Sequence, residues 1–419
     1  MPRVFSFAVM LSALAAPAAA QPLTIAQAID EAMQHNLALF AERSQLSIAE
    51  AQMVGARLRP NPVVSFSAEH LDVLGTGFSD TNNGGPPEIA WRIDVPFERG
   101  GKREARVALA AAVKSAAEAQ FADAVRALKQ DVTLACVDLL AAQATRTLAV
   151  DTLHTYEDLA RVNRARVISG SIAPFDATRS EVAMLQFRAT VVRADLDLAA
   201  AAARLRVLLG RPADQTVEIA DGLSSAGGIG GARAPDLEAL AMQARPDLKA
   251  LQLAQARTVA DLHLQEALGR VDYTVGAEYR RQQGIAGRSN SLGVFVSAPL
   301  PISNRNQGEV ARADAERGQA ERQIAARQAQ IAAELNGAFH EYVTTRDLVA
   351  SIERDLLRPA AHARDISAYT YKAGGATLLE LLDAQRAFND TMQGYVDARA
   401  SLRRATARLN AAVGTEVAQ

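Results

Sequence analysis

The chain has 419 residues, 49% of them hydrophobic but only 5% aromatic, and a formal net charge of −2. That balance gives no electrostatic footprint for nucleic acid or for an acidic surface, and no basic tract with interleaved aromatics occurs. Alanine supplies much of the apolar fraction, and its small side chain favours extended helix packing over a thick globular core.

Residues 1–20 read as a secretory signal: Arg3 precedes an apolar stretch over 4–14, and Ala18, Ala19 and Ala20 form a cleavage site, so cleavage is expected after Ala20. The alternative, a membrane anchor, is too short to span, and no later run approaches twenty apolar residues. Cys136 is the only cysteine, which excludes an intrachain disulfide and any cysteine-rich metal cluster. Its apolar surroundings, Leu134, Ala135 and Val137, suit a small buried hydrophobe. It lies far from the cleavage site, so the mature protein is not expected to be a lipoprotein.

The first long unit is expected over 21–210. A helix runs over 23–58 with Thr24 as N-cap and Gln27 three residues on, and Arg59, Pro60, Asn61 and Pro62 stop it. The period then changes to two over about 62–72, with Val64, Phe66 and Ala68 opposed to Ser65, Ser67 and Glu69. After a glycine-rich loop over 75–87, a second strand over about 88–97 sets Ile89, Trp91, Ile93, Val95 and Phe97 against Arg92 and Asp94. Residues 102–168 contain neither Gly nor Pro, which predicts one helix on the order of 100 Å long. A turn at Gly170 and a return helix over about 174–209 follow, and 211–234 reads as a flexible connector.

The same order then recurs over 235–413. Ala32, Met33 and Gln34 return as Ala241, Met242 and Gln243, an offset of 209. Strands are expected at about 271–281 and 291–300, a long helix at about 307–372, a turn at Gly374 and Gly375, a return helix at about 377–413 and a tail over 414–419. The fold class is therefore mainly α with a small β part, in two tandem repeats of helix, strand, strand, long helix and helix.

Each half offers two strands of membrane-spanning length, apolar on one face and mixed polar on the other. Four strands cannot close a barrel, and open edges in lipid are forbidden, so the chain must oligomerise; three copies would give twelve strands. The alternative is that the hairpins are soluble caps on a helical bundle. If the apolar faces meet lipid, Arg92, Asp94, Asp272, Glu278 and Arg280 line a wet lumen. The long helices then continue the barrel wall as a helical cylinder.

These features resemble the TolC family of trimeric outer-membrane efflux proteins, over essentially all of the mature chain. Within it, Leu58-Arg59-Pro60-Asn61-Pro62 leading to Glu69, and Pro96-Phe97-Glu98-Arg99-Gly100-Gly101-Lys102-Arg103 opening the long helix, resemble the heavy-metal (cobalt-zinc-cadmium) subgroup. The resemblance implies a passive outer-membrane duct with a trimeric 12-stranded β-barrel continued by a long α-helical barrel in the periplasm. It implies a homotrimer in outer-membrane lipid, working with a periplasmic membrane-fusion adaptor and an inner-membrane RND-type pump. The cargo is expected to be heavy-metal cations, with drug efflux or type I protein secretion as the alternative cargo and a soluble periplasmic coiled-coil adaptor as the alternative class. The helix turns that would meet the adaptor carry Arg166, Ser169, Gly170 and Asp176, and Tyr371, Lys372, Gly374, Gly375, Leu378 and Leu379. Arg179, Asp383 and Arg386 are candidate gate residues.

Catalytic chemistry is not expected. Gly100, Gly101, Lys102 and Arg103 lack the leading Gly of a phosphate loop, Pro96 standing there, and the Ser or Thr after the Lys. His340-Glu341 lacks a second His at position 344, which is Thr344. No cofactor or stored metal ion is expected.

Overall fold

The computed structural model describes residues 22–75, 77, 87–224, 228, 229, 231–284 and 287–417. The cleavage site after Ala20 and parts of the 75–87 loop and of the connector lie outside the described residues. The elements run α1 (Ile25–His35), α2 (Leu37–Arg57), β1 (Val63–Glu69), β2 (Glu88–Phe97), α3 (Lys102–Ile168), α4 (Pro174–Leu209), α5 (Ala234–Ala244), α6 (Pro246–Leu268), β3 (Tyr273–Gly284), β4 (Gly287–Ser297), α7 (Gln307–Ser351), a π-helical turn (Ile352–Leu356), α8 (Leu357–Lys372) and α9 (Leu378–Val413).

The single helix expected over 23–58 is two. Thr24 caps α1 through a reciprocal capping box with Gln27, but the chain leaves helical geometry at Asn36, with φ −69° and ψ 118°. The buried Asn36 side chain donates from Nδ2 to the carbonyl of Leu208 at 2.9 Å, fixing the break. In the second half the break falls at Arg245, φ −70° and ψ 121°, where the following Pro246 disfavours helical geometry. The two breaks are 209 residues apart, the offset read from the sequence.

Contacts divide the chain into two compact units, one of the segment to Leu37 with 127–234 and 335 onward, the other of 38–126 and 235–334. The second unit holds a four-stranded antiparallel sheet in the order β1-β2-β3-β4. Its register stacks like on like: Phe66 faces Trp91, which faces Tyr279, which faces Leu292. β3 and β4 are longer toward their shared turn than the alternation predicts, since Gln282, Ser289 and Asn290 still pair although their sequence is wholly polar. Backbone pairing needs no apolar side chain, so periodicity is blind to it.

The first unit is helical. Pro359 lies inside the helix expected over 307–372 and is absent from that expectation; it has no N–H for the carbonyl of residue 355, and the π-helical turn sits immediately before it. Cys136 is fully buried, and burial pushes its thiol up to about 12.

Candidate functional site

Two places concentrate chemistry, and they belong to different units. In the sheet, alternation sends odd-numbered residues of β2 and β3 to one face and even-numbered ones to the other. The odd face is apolar: Phe66 and Trp91 pack with ring centroids 4.8 Å apart, and Ile89, Ile93, Tyr279, Leu292, Val294 and Val296 extend the patch. It is also uncovered, Trp91 being 55% exposed and Val294 75%. Side chains of that kind left in contact with water would each forgo roughly 1.5–3 kcal/mol of burial.

The opposite face is a network of charges. Arg92 Nε donates to Asp94 at 2.8 Å, and the Arg92 guanidinium lies 4.3 Å from the centre of the Phe295 ring. Arg280 donates to Glu88 at 2.6 Å and to Glu278 at 3.0 Å. The structure thus brings Arg92, Asp94, Glu278 and Arg280 to one face, and adds Glu88 and Gln282, which sequence reasoning missed. Their even-numbered parity with Arg92 is the signal that would have found them. Gly276 makes room: a Cβ there would fall 2.2 Å from Asp94 Oδ1. Asp272 is a correction to the expected set. It precedes β3 and is taken up at the strand-to-helix junction, accepting from Lys102 Nζ at 2.6 Å and from the backbone N–H of Arg99 at 2.9 Å. The Lys102 bond and burial act on it in opposite senses, and its carboxyl is held below the usual range.

The second place is the pair of helix turns in the other unit. At the end of α3 the N–H of Ser171 reaches the carbonyl of Arg166 at 2.8 Å and that of Gly170 reaches Val167 at 2.9 Å, with Gly170 at φ +73°. At the end of α8 the N–H of Gly375 reaches Thr370 at 2.9 Å and that of Gly374 reaches Tyr371 at 3.2 Å, with Gly374 at φ +80°. Both are helix ends that require a left-handed residue, which Gly supplies without a Cβ penalty. Thr377 then caps α9 in a second capping box with Glu380, whose carboxyl is held below its ordinary range by the Thr377 N–H.

The turns touch. Arg166 donates to the carbonyl of Lys372 at 3.3 Å, and its guanidinium sits 5.1 Å from the centre of the Tyr371 ring. Tyr371 donates its hydroxyl to Asn163 Oδ1 at 2.6 Å, inside the chain. Beneath lies an apolar cluster of Tyr156, Tyr371, Leu378, Leu381 and Leu382, with Phe187 stacked on Tyr156 at 4.4 Å. Burial pushes the Tyr156 hydroxyl up to about 12, so it stays a phenol. Tyr371 and Leu378, expected at a contact surface, are instead 7% and 5% exposed and hold the turns together. Lys372, Ser169, Ile168 and Leu379 do face outward, and so do Phe175 and Tyr369, which the sequence did not single out. Arg179, Asp383 and Arg386 are exposed, and among the described residues no ion pair joins them within the chain. Among the described residues no group of three or more His, Cys, Asp or Glu is arranged to hold a metal ion, and no helix is long and apolar enough to cross a membrane.

A family model described as outer membrane efflux protein matches residues 28–211 and 237–415. The cobalt-zinc-cadmium resistance protein CzcC of Cupriavidus metallidurans is 26% identical over 368 residues, 88% of this chain and 84% of that protein. The nickel and cobalt resistance protein CnrC of the same organism is 26% identical over 306 residues, 73% of this chain and 70% of that protein. The solved outer membrane protein VceC of Vibrio cholerae has the same fold, with a TM-score of 0.75 at 18% identity, covering 94% of this chain and 96% of that one.

Proposed function

The chain belongs to the outer membrane efflux protein family, and from that premise we propose that three copies join their four-stranded sheets into a 12-stranded barrel. The observation that carries this is the uncovered apolar sheet face, set on strands that leave two open edges. Lipid is the solvent in which such a face costs nothing, and closure by further copies is the way to satisfy the edges. The long helices α3 and α7 would continue the wall into the periplasm as a helical barrel.

Trp91 is the only tryptophan of the chain and stands on that face, so it is a built-in probe. Reconstituted in phosphatidylcholine carrying brominated acyl chains, the protein is expected to lose most of its tryptophan fluorescence. Emission unchanged by bromination would mean that the face does not meet lipid.

The polar face supports a passive duct. Glu88, Asp94 and Glu278 are each engaged by Arg92 or Arg280, so a passing cation meets a wall of neutralised carboxylates and no deep well. Weak binding is what conduction requires. We take the cargo to be heavy-metal cations, supported by the names of two similar proteins and by the 58–62 and 96–103 motifs. Loss of the gene would then sensitise cells to cobalt, zinc or cadmium more than to drugs; the reverse order would reassign the cargo. The helix turns would take the helical hairpins of an adaptor on Ile168, Ser169, Lys372 and Leu379, linking the duct to an inner-membrane RND-type pump. Arg179, Asp383 and Arg386, which form no ion pair among the described residues, would pair between copies to narrow the tip. Asp383→Ala should then raise single-channel conductance, and an unchanged conductance would remove Asp383 from the gate.

A further inference from the structure

The junction between strands and helices is strongly basic. Across residues 57–59, 98–106, 269–272 and 300–305 there are eight cationic side chains against three anionic ones, in a chain whose overall charge is −2. Two of the three anions are spent inside the junction, Glu98 on Arg106 and Asp272 on Lys102. The remaining cations are contiguous. Arg103 Nε donates to the carbonyl of Arg57 at 2.9 Å, and Arg270 lies against Gly100, where a Cβ would fall 2.4 Å from its Cδ. Arg305 follows on, since a Cβ on Gly269 would fall 2.6 Å from its carbonyl oxygen. Arg57, Arg59 and Arg270 are exposed and have no side-chain hydrogen bond or ion pair among the described residues.

Arg99 ties this collar to the apolar side of the sheet. Its Nη1 donates to the Tyr273 hydroxyl at 2.8 Å and its guanidinium sits 5.0 Å from the centre of that ring, and Tyr273 is an odd-numbered residue of the apolar face. The depth follows from strand length. Ten residues of β2 rise about 33 Å, which at a tilt of about 40° gives about 25 Å of membrane normal, the height of a barrel's apolar band. The collar therefore begins where the hydrocarbon ends.

We propose that Arg57, Arg59, Arg99, Arg103, Arg270 and Arg305 form a binding collar for the phosphate headgroups of anionic glycerophospholipids in the inner leaflet of the outer membrane. Guanidinium groups bind phosphate through paired N–H donors, and arginines beside an apolar face gain from the low dielectric there. The collar rests on the proposal that the apolar sheet face meets lipid.

Trp91 tests both statements separately. With the protein in brominated phosphatidylcholine, unbrominated lipid is titrated in and the recovery of emission reports how well each lipid competes for the sheet surface. Phosphatidylglycerol and cardiolipin are expected to displace brominated phosphatidylcholine better than plain phosphatidylcholine does, by up to about fivefold for each arginine engaged, and less so at high salt. Arg59→Gln with Arg270→Gln, which removes two side chains that make no hydrogen bond or ion pair among the described residues, should lower that preference toward one. The exposed pair Arg193→Gln with Arg322→Gln, of equal charge change, should leave it intact. Absence of quenching in brominated phosphatidylcholine would defeat the lipid-facing sheet. Quenching with equal competition by neutral and anionic phospholipid, or equal loss in both double variants, would overturn the collar alone. Preference for lipid A over phosphatidylglycerol, abolished by Arg59→Gln with Arg270→Gln, would overturn its placement in the inner leaflet.

Discussion

Asp247 is the carboxylate on which a buried charge cluster turns. Arg245, its side chain only 2% exposed, donates to it at 2.8 and 3.0 Å, Arg327 Nε donates at 2.7 Å, and Arg245 also reaches Glu334 at 2.8 Å. Burial raises its pKa, but the hydrogen bonds from Arg245 and Arg327 outweigh that and hold it at about 2. A carboxyl whose folded value lies below its unfolded one stabilises the fold above about pH 4 and loses that contribution as pH falls toward 2. The increment is on the order of 2 kcal/mol. Asp247→Asn should therefore cost about 3 kcal/mol of stability at pH 7, read as a lower unfolding temperature, since Arg245 and Arg327 lose the carboxylate they share. The gap to the parent should narrow below pH 4, and a gap independent of pH would show that the charge on Asp247 is not what matters. None of this was legible in the sequence. Helical periodicity runs through 237–268 without marking Arg245, and only Pro246, together with the 209-residue offset from Asn36, shows in retrospect where the chain must leave the helix.

At the scale of elements, the glycines that end helices divide by what surrounds them. Gly170 and Gly210 have nearly the same φ, +73° and +69°, yet a Cβ at Gly170 would meet nothing within 4 Å whereas one at Gly210 would fall 2.4 Å from the carbonyl oxygen of His35. Gly170→Ala should then cost only the left-handed strain, about 1–2 kcal/mol. Gly210→Ala adds a backbone collision and should cost about twice that or more, because α1 must move off the end of α4. Denaturant midpoints of the two variants decide it, and equal costs would mean that α1 gives way freely. Gly170 and the long helix at Lys102–Ile168 are legible because composition alone dictates them, a run without Gly or Pro and then a Gly at its end, and Gly374 is legible as the repeat of Gly170. The π-helical turn is not legible, since the apolar periodicity continues past Pro359 and a one-residue bulge does not disturb it for long.

At the scale of the whole molecule, the sheet is four strands with β1 and β4 as its edges. Alternation marks the strands as candidates to span a membrane; their number is what makes a single chain insufficient. In the proposed trimer β4 of one copy lies beside β1 of the next, antiparallel because the four strands alternate in direction. A cysteine at Ser65 on β1, which shares the polar face with Arg92, combined in turn with one at Gly293, Phe295 or Ser297 on β4, which lie on the same face, should bring two thiols within disulfide reach in one of the combinations, where the α-carbons come within about 7 Å. The chain's own Cys136 needs no removal, as it is fully buried with its thiol pushed up to about 12, leaving almost no thiolate at neutral pH. Mild oxidation in detergent should give a ladder of two and three linked chains for that combination, and only single chains for Ser65→Cys alone. Single chains from all three combinations would mean that the edges do not meet. A ladder continuing past three would put more copies in the ring.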